Sequence, residues 1–174
     1  MGVVGEPLPM PAHLSAEFYA WLWWTSERQQ GEFDLGGEFG AIDIWVDERL
    51  AFRHPAEGKV CAVMTGDNPS TTLEARAALA GGKVLQELRL GLRRDAREFY
   101  VTLRGAAMDF TQVKLPPLVK GSDDTVTYER MFLYEELSFV VAQLYQRFAT
   151  ERVSQQWGAE VLPAVERWVS GREV

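Results

Sequence analysis

The alternation of apolar and polar positions along the chain predicts helices combined with short β-strands. From Ser15, a suitable N-cap, the run AEFYAWLWWTSERQQ predicts a helix that ends near Gly31. Its apolar residues cover most of the helix circumference, which indicates burial on more than one side. We therefore expect Trp21, Trp23 and Trp24 to pack in the core; the alternative is that this cluster stacks bases or anchors a partner.

Between residues 32 and 64 the period changes to that of β-strands. Asp47-Glu48 predicts a turn that divides two strands, and a third strand is predicted over residues 59–64. Cys61, the single cysteine, lies in this third strand and is expected to be a half-buried structural thiol. The residues expected to face the core in the first two strands are Ile42, Ile44, Val46, Leu50 and Phe52.

A helix and a β-hairpin are predicted next. Thr71 and Glu74 can form a capping box for the helix LEARAALA, and Gly81-Gly82 is expected to end it. The leucines of VLQELRLGL then alternate with charged residues, an Arg-Asp pair marks a turn, and the run FYVTL alternates again. The hairpin is thus expected to have one apolar and one basic face. A third strand is predicted through Met108 and Phe110.

Two helices are predicted in the last third of the chain. The longer one covers residues 128–153, after the polar loop LVKGSDDTV, and the shorter one covers residues 157–169. Pro163 lies inside the shorter helix and predicts either a kink or a later start.

These elements predict an α+β fold. We expect a largely antiparallel sheet of about five or six strands, an N-terminal Trp-rich helix, a short middle helix, a long C-terminal helix and a shorter last one. The first and the long helix are expected to pack on one face of the sheet. Residues 1–13, rich in glycine and proline, are expected to form a flexible arm, and residues 14–174 a single domain.

Composition supports one domain and argues against a membrane location. The 174 residues are 47 % hydrophobic, which is enough to bury a core without metal or disulfide cross-links. The first residues have neither a basic segment nor a long apolar run, and no later window approaches the ~20 apolar residues of a membrane span. The expected location is therefore the cytoplasm.

Charge is distributed unevenly along the chain. The net charge is −7, but from Lys83 to Lys120 there are eight basic and four acidic residues, which gives +4 and leaves −11 for the remainder. Such asymmetry is compatible with a basic face on an acidic body. The alternative is that exposed strand faces simply carry solvating charges.

No pattern of residues indicates catalysis, a cofactor or a metal ion. The two histidines, His13 and His54, have no second ligand at metal spacing, and the glycines before Lys83 follow a helix, the reverse of a phosphate-binding loop. The pairs Asp123-Asp124 and Glu135-Glu136 are interpreted as solvated charges, because neighbours in sequence do not share a helix face. We therefore expect a non-catalytic binding module, with an enzyme built from dispersed carboxylates as the less favoured class.

Four segments carry a resemblance to a known family. They are AWLWWTSERQQGEFDLGGEF, STTLEARAALAGGKVLQELRLGL, REFYVTLRGAAMDFTQVKLP and the helix around YERMFLYEEL. In this order they resemble the C-terminal part of RdgC-like, recombination-associated proteins. The most specific piece is GGKVLQELRLGL followed at hairpin distance by FYVTL, and the N-terminal half of that family has no counterpart here.

The resemblance implies sequence-nonspecific association with double-stranded DNA, linked to control of a recombinase, by a ring-like dimer lined with positive charge. Lys83 is the one position at which the family pattern implies a DNA contact in this chain. The arginines are proposed as further contacts only because of their charge and the strand face on which they are predicted to lie. The candidate DNA contacts are Lys83, Arg89, Arg93, Arg94, Arg97 and Arg104. Replacing Arg93 and Arg94 by glutamate is expected to abolish DNA binding and to leave folding intact.

The alternative is a protein-interaction or self-association module that does not bind nucleic acid. Aromatic side chains are typical anchors of such interfaces, so a partner protein or a second copy would dock on them. The candidate partner contacts are Trp21, Trp23, Trp24, Tyr134, Phe139 and Tyr145.

Overall fold

The computed structural model describes residues 12–28, 31–37, 39–57, 59–69 and 73–171. The first eleven residues of the predicted arm lie outside these ranges, as does the proposed capping residue Thr71. The first helix begins at Ala12, which is earlier than the predicted cap at Ser15.

The described residues form six strands and four α-helices, which confirms the α+β class. The strands are β1 (Glu32–Asp34), β2 (Ala41–Arg53), β3 (Val60–Thr65), β4 (Val84–Arg94), β5 (Arg97–Arg104) and β6 (Asp109–Lys114). The helices are α1 (Ala12–Arg28), α2 (Leu73–Ala80), α3 (Asp123–Arg152) and α4 (Leu162–Val169), and a π-helical turn, Trp157–Val161, leads into α4.

The strands form one antiparallel sheet in the order β1-β2-β4-β5-β6, with β3 also paired to β2. The predicted turn at Asp47-Glu48 is wrong, because β2 continues through both residues. Its pairing with β4 shifts register between Val46 and Leu50, as in a β-bulge. A bulge keeps the strand continuous while it accommodates the extra residues.

One face of the sheet is covered by helices, and the core lies between them. Phe18, Leu22 and Trp23 of α1 are completely buried, so α1 is apolar on more than one side, as predicted. Leu137 and Val140 of α3 lie over the same sheet face. The inward positions of β2 are the predicted ones, and those of β4 and β5 are the following buried residues of the hairpin: Leu85, Leu88, Leu90, Leu92, Phe99, Val101 and Leu103.

The ends of the helices follow from local residues. The middle helix coincides with the predicted segment, and Gly82 ends it with a positive φ of 83° while Lys83 N donates to Ala78 O. The predicted start of α3 is wrong: it begins at residue 123, because the side chain of Ser122 caps it. Pro163 stands at the beginning of α4, directly after the π-helical turn, so the predicted segment 157–169 is helical throughout and changes its helix type just before the proline.

The expectation of a half-buried Cys61 is wrong. This residue is exposed, because β3 pairs only with β2 and most of its side chains remain accessible. The thiol donates a hydrogen bond to the carbonyl oxygen of Phe52, and the sulfur–oxygen distance is 3.6 Å.

The carboxylate of Glu27 joins three helices. Its Oε1 accepts a hydrogen bond from Trp23 Nε1, and its Oε2 accepts from Trp168 Nε1 and forms an ion pair with Arg76, each at 2.7 Å. The rings of Trp23 and Trp168 meet edge to face at a centroid distance of 4.8 Å. The C-terminal helix is thereby fixed to α1 and α2 by both packing and charge.

Candidate binding surfaces

The sheet face that turns away from the helices carries charged side chains of both signs. Arg93 pairs with Asp43 at 2.6 Å, and Arg89 pairs with Asp47 at 3.0 Å. Each of these ion pairs joins β4 to β2. A third group follows further along the same two strands and β5, where Glu87 forms ion pairs with Arg49 and Arg104.

Two aromatic rings lie among these ion pairs. Trp45 and Tyr100 meet edge to face with ring centroids 5.8 Å apart, above Gly91 of β4. Arg89 and Lys114 approach the Tyr100 ring at 5.7 and 5.3 Å. Two cations thus approach this tyrosine, and burial together with its hydrogen bond to Glu98 raises its pKa.

The expectation of a single basic hairpin face is wrong in two respects. Arg89, Arg93 and Arg104 point to the open sheet face, but each is matched there by a carboxylate. Arg94 and Arg97 lie on the helix side, where both pair with Glu136 of α3. Strand alternation explains the division. Arg94 and Arg97 form the last pair of the hairpin, two positions beyond the buried pair of Leu92 and Phe99, and therefore lie on the same side of the sheet as that pair.

Glu136 is the buried centre of this second cluster, so its interpretation as a solvated charge is wrong. Only 5 % of its side chain is exposed. Its Oε1 accepts hydrogen bonds from Arg94 and Arg97 at 3.0 and 2.9 Å. Its Oε2 lies 2.8 Å from Arg97 Nη1, close enough for an ion pair but without the angle of a hydrogen bond.

Lys83 differs from the hairpin arginines, since it forms no ion pair with any residue in the described ranges. It precedes Val84, which pairs across the sheet with Arg53, and Arg53 pairs on its other side with Val60, next to Lys59. Arg53 and Lys59 likewise lack an ion pair among the described residues. These three cations therefore gather at one end of the sheet.

The outward face of α3 exposes a row of large apolar side chains. Tyr128, Phe132 and Met131 are 72 %, 62 % and 57 % exposed, and Phe139 is 43 % exposed. Their spacing places them on one side of the helix, opposite the buried Leu133, Leu137 and Leu144. We call this row, Tyr128, Met131, Phe132 and Phe139, the α3 stripe.

Neighbouring aromatic side chains extend the α3 stripe at both sides. Phe39, from the loop before β2, stacks on Phe139 with ring centroids 4.3 Å apart. Tyr134, 44 % exposed, stands to one side and contacts Phe110 of β6. Aromatic side chains from the loop before β2 and from the edge strand β6 therefore border the α3 stripe.

The surroundings of the α3 stripe are acidic. The residues from 123 to 136 include Asp123, Asp124, Glu129, Glu135 and Glu136 against one basic residue, Arg130. Glu136 is buried against its two arginines, but the other four carboxylates lie at the surface or partly exposed.

Of the six predicted partner contacts, the structure leaves only two at the surface. Trp21, Trp23 and Trp24 are buried, so the expectation of core packing is confirmed and they offer no anchor. Tyr145 is also directed inwards, with its ring 5.1 Å from Phe18. Tyr134 and Phe139 are exposed but lie on different sides of α3. Helical spacing, which places Tyr128 and Phe132 beside Phe139, was the available signal for the α3 stripe.

The described residues contain no group of three or more His, Cys, Asp or Glu side chains that could hold a metal ion. His54 lies in a turn, where its Nδ1 accepts from Ala56 N at 3.3 Å. None of the helices in the described ranges has the length and apolar composition needed to cross a membrane.

Comparison with known proteins adds no relative to this description. No protein-family model matches the chain, and neither a curated protein nor a solved structure matches it. The resemblance to RdgC-like proteins therefore rests on the sequence segments given above.

Proposed function

We propose that the chain is a non-catalytic protein-interaction module whose docking surface is the α3 stripe, and that its partner is a basic amphipathic segment. The observation that carries this proposal is the exposure of Tyr128, Met131 and Phe132 on one side of a 30-residue helix. Contiguous exposed apolar residues of this size mark interaction sites more often than isolated ones do.

Burial of the α3 stripe would supply the driving force for docking. Transfer of a large apolar side chain from water stabilises a complex by about 1.5–3 kcal/mol when burial is complete. Phe132 and Tyr128 can lose the most water, because they are the most exposed members. Aromatic residues of this kind contribute a large part of the binding energy in many interfaces.

The charges around the α3 stripe indicate the chemistry of the partner. Asp124 lies one turn before the apolar row, Glu135 lies within it between Phe132 and Phe139, and neither carboxylate forms an ion pair with another described residue. A segment with apolar residues at helical spacing and Lys or Arg beside them would match both properties. A second copy of the chain would bring these acidic groups against each other, so self-association is disfavoured.

The test uses a labelled model peptide of 18 residues with leucine on one helical face and lysine on the other. We expect fluorescence anisotropy to show binding that Phe132→Ser weakens at least tenfold. The matched control is Val153→Ser, because Val153 is 85 % exposed but lies outside the α3 stripe. A lysine–serine peptide of equal charge should bind much more weakly than the leucine–lysine peptide.

Three results would overturn this assignment. The first is the absence of peptide binding, and the second is equal binding by the Phe132→Ser and Val153→Ser variants. The third is a concentration-dependent dimer, detected by sedimentation, that Phe132→Ser dissociates, since this would assign the α3 stripe to self-association.

A second candidate function is sequence-nonspecific binding of double-stranded DNA. It is favoured by the cations at the end of the sheet, Arg53, Lys59 and Lys83, which have no carboxylate partner among the described residues. Unpaired cations can neutralise phosphates without first breaking an ion pair. The arginines of the hairpin would have to exchange their carboxylates for phosphates, so they are weaker candidates.

Anisotropy of a labelled 30-base-pair duplex at 50 and 200 mM salt tests this second function. Three phosphate contacts would weaken binding about fortyfold between the two salt concentrations. We expect Lys83→Ala with Arg53→Ala to reduce the affinity and Lys114→Ala to leave it unchanged. Binding that is absent at 50 mM salt, or equal in all variants, excludes this end of the sheet as a DNA contact.

A further inference from the structure

We propose that a cavity between α1, β1 and the C-terminal half of α3 binds a small aromatic carboxylate. The cavity measures about 310 Å³ and is separate from the α3 stripe. Its volume is at the lower end of the range for small-molecule sites, which suits a single ring with a short acidic chain. Six residues carry the argument: Trp21, Trp24, Thr25, Arg28, Phe33 and Arg147.

Two guanidinium groups at the cavity are positioned to receive an anion. Arg28 lies 4.6 Å from the ring centroid of Trp24, and Arg147 lies 5.5 Å from that of Phe33. Neither forms an ion pair with another residue in the described ranges. A guanidinium that stacks on a ring uses its face, so its N–H donors remain available for a carboxylate.

The two carboxylates of the cavity already have donors. Glu151 Oε2 accepts from Trp21 Nε1 at 2.6 Å, and Asp34 Oδ1 accepts from Gly36 N at 2.8 Å. Both nevertheless reduce the positive potential that the two arginines produce. With two arginines and two carboxylates the lining has no net formal charge, which disfavours a doubly charged phosphate more than a ligand with one negative charge.

Two polar groups in the wall of the cavity lack a partner within the described residues. They are Trp24 Nε1 and Thr25 Oγ1, and both atoms are buried. Buried donors without an acceptor are uncommon in folded proteins and call for an explanation. Neither atom is accessible from the cavity, so a ligand oxygen could pair with the Thr25 hydroxyl only after that side chain rotates towards the cavity.

Two aromatic side chains complete the lining and are fixed in place. Trp21 and Phe33 meet edge to face at a centroid distance of 5.8 Å, and both side chains belong to the core. The cavity also adjoins a second one of about 220 Å³, with which it shares Phe33, Asp34 and Arg147. An aromatic ring would lie against the first walls while its carboxylate reached the arginines.

The test measures binding of sodium 3-phenylpropionate to the whole chain by calorimetry, with 3-phenylpropionamide as the uncharged counterpart. We expect the acid to bind and the amide to bind at least tenfold more weakly. Arg147→Gln and Arg28→Gln should each weaken binding of the acid at least fivefold. Arg130→Gln is the matched control, because it removes an exposed charge from α3 outside this cavity.

Circular dichroism and thermal unfolding first establish that each variant is folded. Failure of the acid to bind would overturn the proposal, and so would equal binding of acid and amide or an effect of Arg130→Gln as large as that of Arg147→Gln. Competition by sodium sulfate at equal concentration would also overturn it, since that result would describe a general anion site.

Discussion

Trp45 lies so close above Gly91 that a Cβ at position 91 would overlap its indole ring. Gly91 is paired directly with Trp45 across β2 and β4, and the absence of a side chain makes room for the ring. Gly91→Ala should therefore displace the indole and lower the free energy of unfolding by about 2 kcal/mol, as overpacking does. Urea denaturation measures this loss.

The explanation can be checked with a second substitution. Trp45→Ala removes the overlapping ring, so Gly91→Ala should cost much less in that background. Gly158→Ala is the control, because a Cβ there meets nothing within 4 Å. If Gly91→Ala costs the same with and without Trp45, contact with the indole is not the cause.

Glu136→Gln tests the buried ion-pair cluster. The neutral amide would leave Arg94 and Arg97 without their carboxylate, and we expect a loss of about 2 kcal/mol. This is below the usual figure for a fully buried pair, because the two arginine side chains are 22 % and 36 % exposed. The adjacent, exposed Glu135→Gln is the control and should change the stability by less than about 0.5 kcal/mol.

The same cluster changes the expectation for the double variant of the hairpin arginines. Arg94→Glu would place a second carboxylate beside Glu136, so this substitution should destabilise the fold. Arg93→Glu disrupts only an exposed pair with Asp43 and should fold normally. Loss of DNA binding by the double variant would therefore have to be separated from unfolding by a thermal melt.

Tyr19 should make the fold sensitive to alkaline pH. Its hydroxyl donates to Gly105 O at 2.8 Å, and burial first, then the charge of Asp109, raises its pKa. Below pH 10 the tyrosine is protonated in both states, whereas above it only the unfolded state releases the proton. Stability should thus fall by about 1.4 kcal/mol for each pH unit above 10.

Tyr19→Phe separates the two contributions. At pH 8 the variant should be about 1 kcal/mol less stable than the parent, because the hydrogen bond is lost. By about pH 11 the difference should disappear, since phenylalanine does not titrate. Tyr128→Phe, at an exposed position, is the control. A difference that is constant from pH 8 to 11 contradicts a raised pKa.

Cys61 is expected to react with a thiol reagent in the folded protein. Its exposure on β3 gives access without unfolding, so labelling should be complete at a rate close to that of a free thiol. Cys61→Ser should change the stability by less than about 0.5 kcal/mol. Labelling that requires denaturant would show that the thiol is protected.

The sequence was sufficient for the elements whose apolar period is regular. The spacing of apolar residues alone predicts three elements: the buried α1, the hairpin of β4 and β5, and the core side of α3. Each of them buries one face or its whole surface, so its apolar residues recur at the period of a helix or a strand. The N-terminus of α3 was also predictable in principle. Ser122 followed by two aspartates is a helix-capping pattern, but the polar composition favoured a loop.

The contacts of the charged residues could not be predicted. Arg89 and Asp47 meet only because the bulge in β2 fixes the register between distant segments. Likewise, Glu136 finds its two arginines through the packing of α3 on the hairpin end. Counting charges along the chain therefore overestimated the basic character of the hairpin, since no periodicity reveals which partner neutralises which arginine.

The carboxylate that joins Trp23, Arg76 and Trp168 has a consequence for synthesis on the ribosome. Two of its three partners are made long after Glu27, and the last, Trp168, packs edge to face on Trp23. Until Trp168 has left the exit tunnel, Trp23 lacks the ring that packs on it and Glu27 lacks one of its two indole donors. The native contacts of α1 are therefore completed only after α4 has been translated.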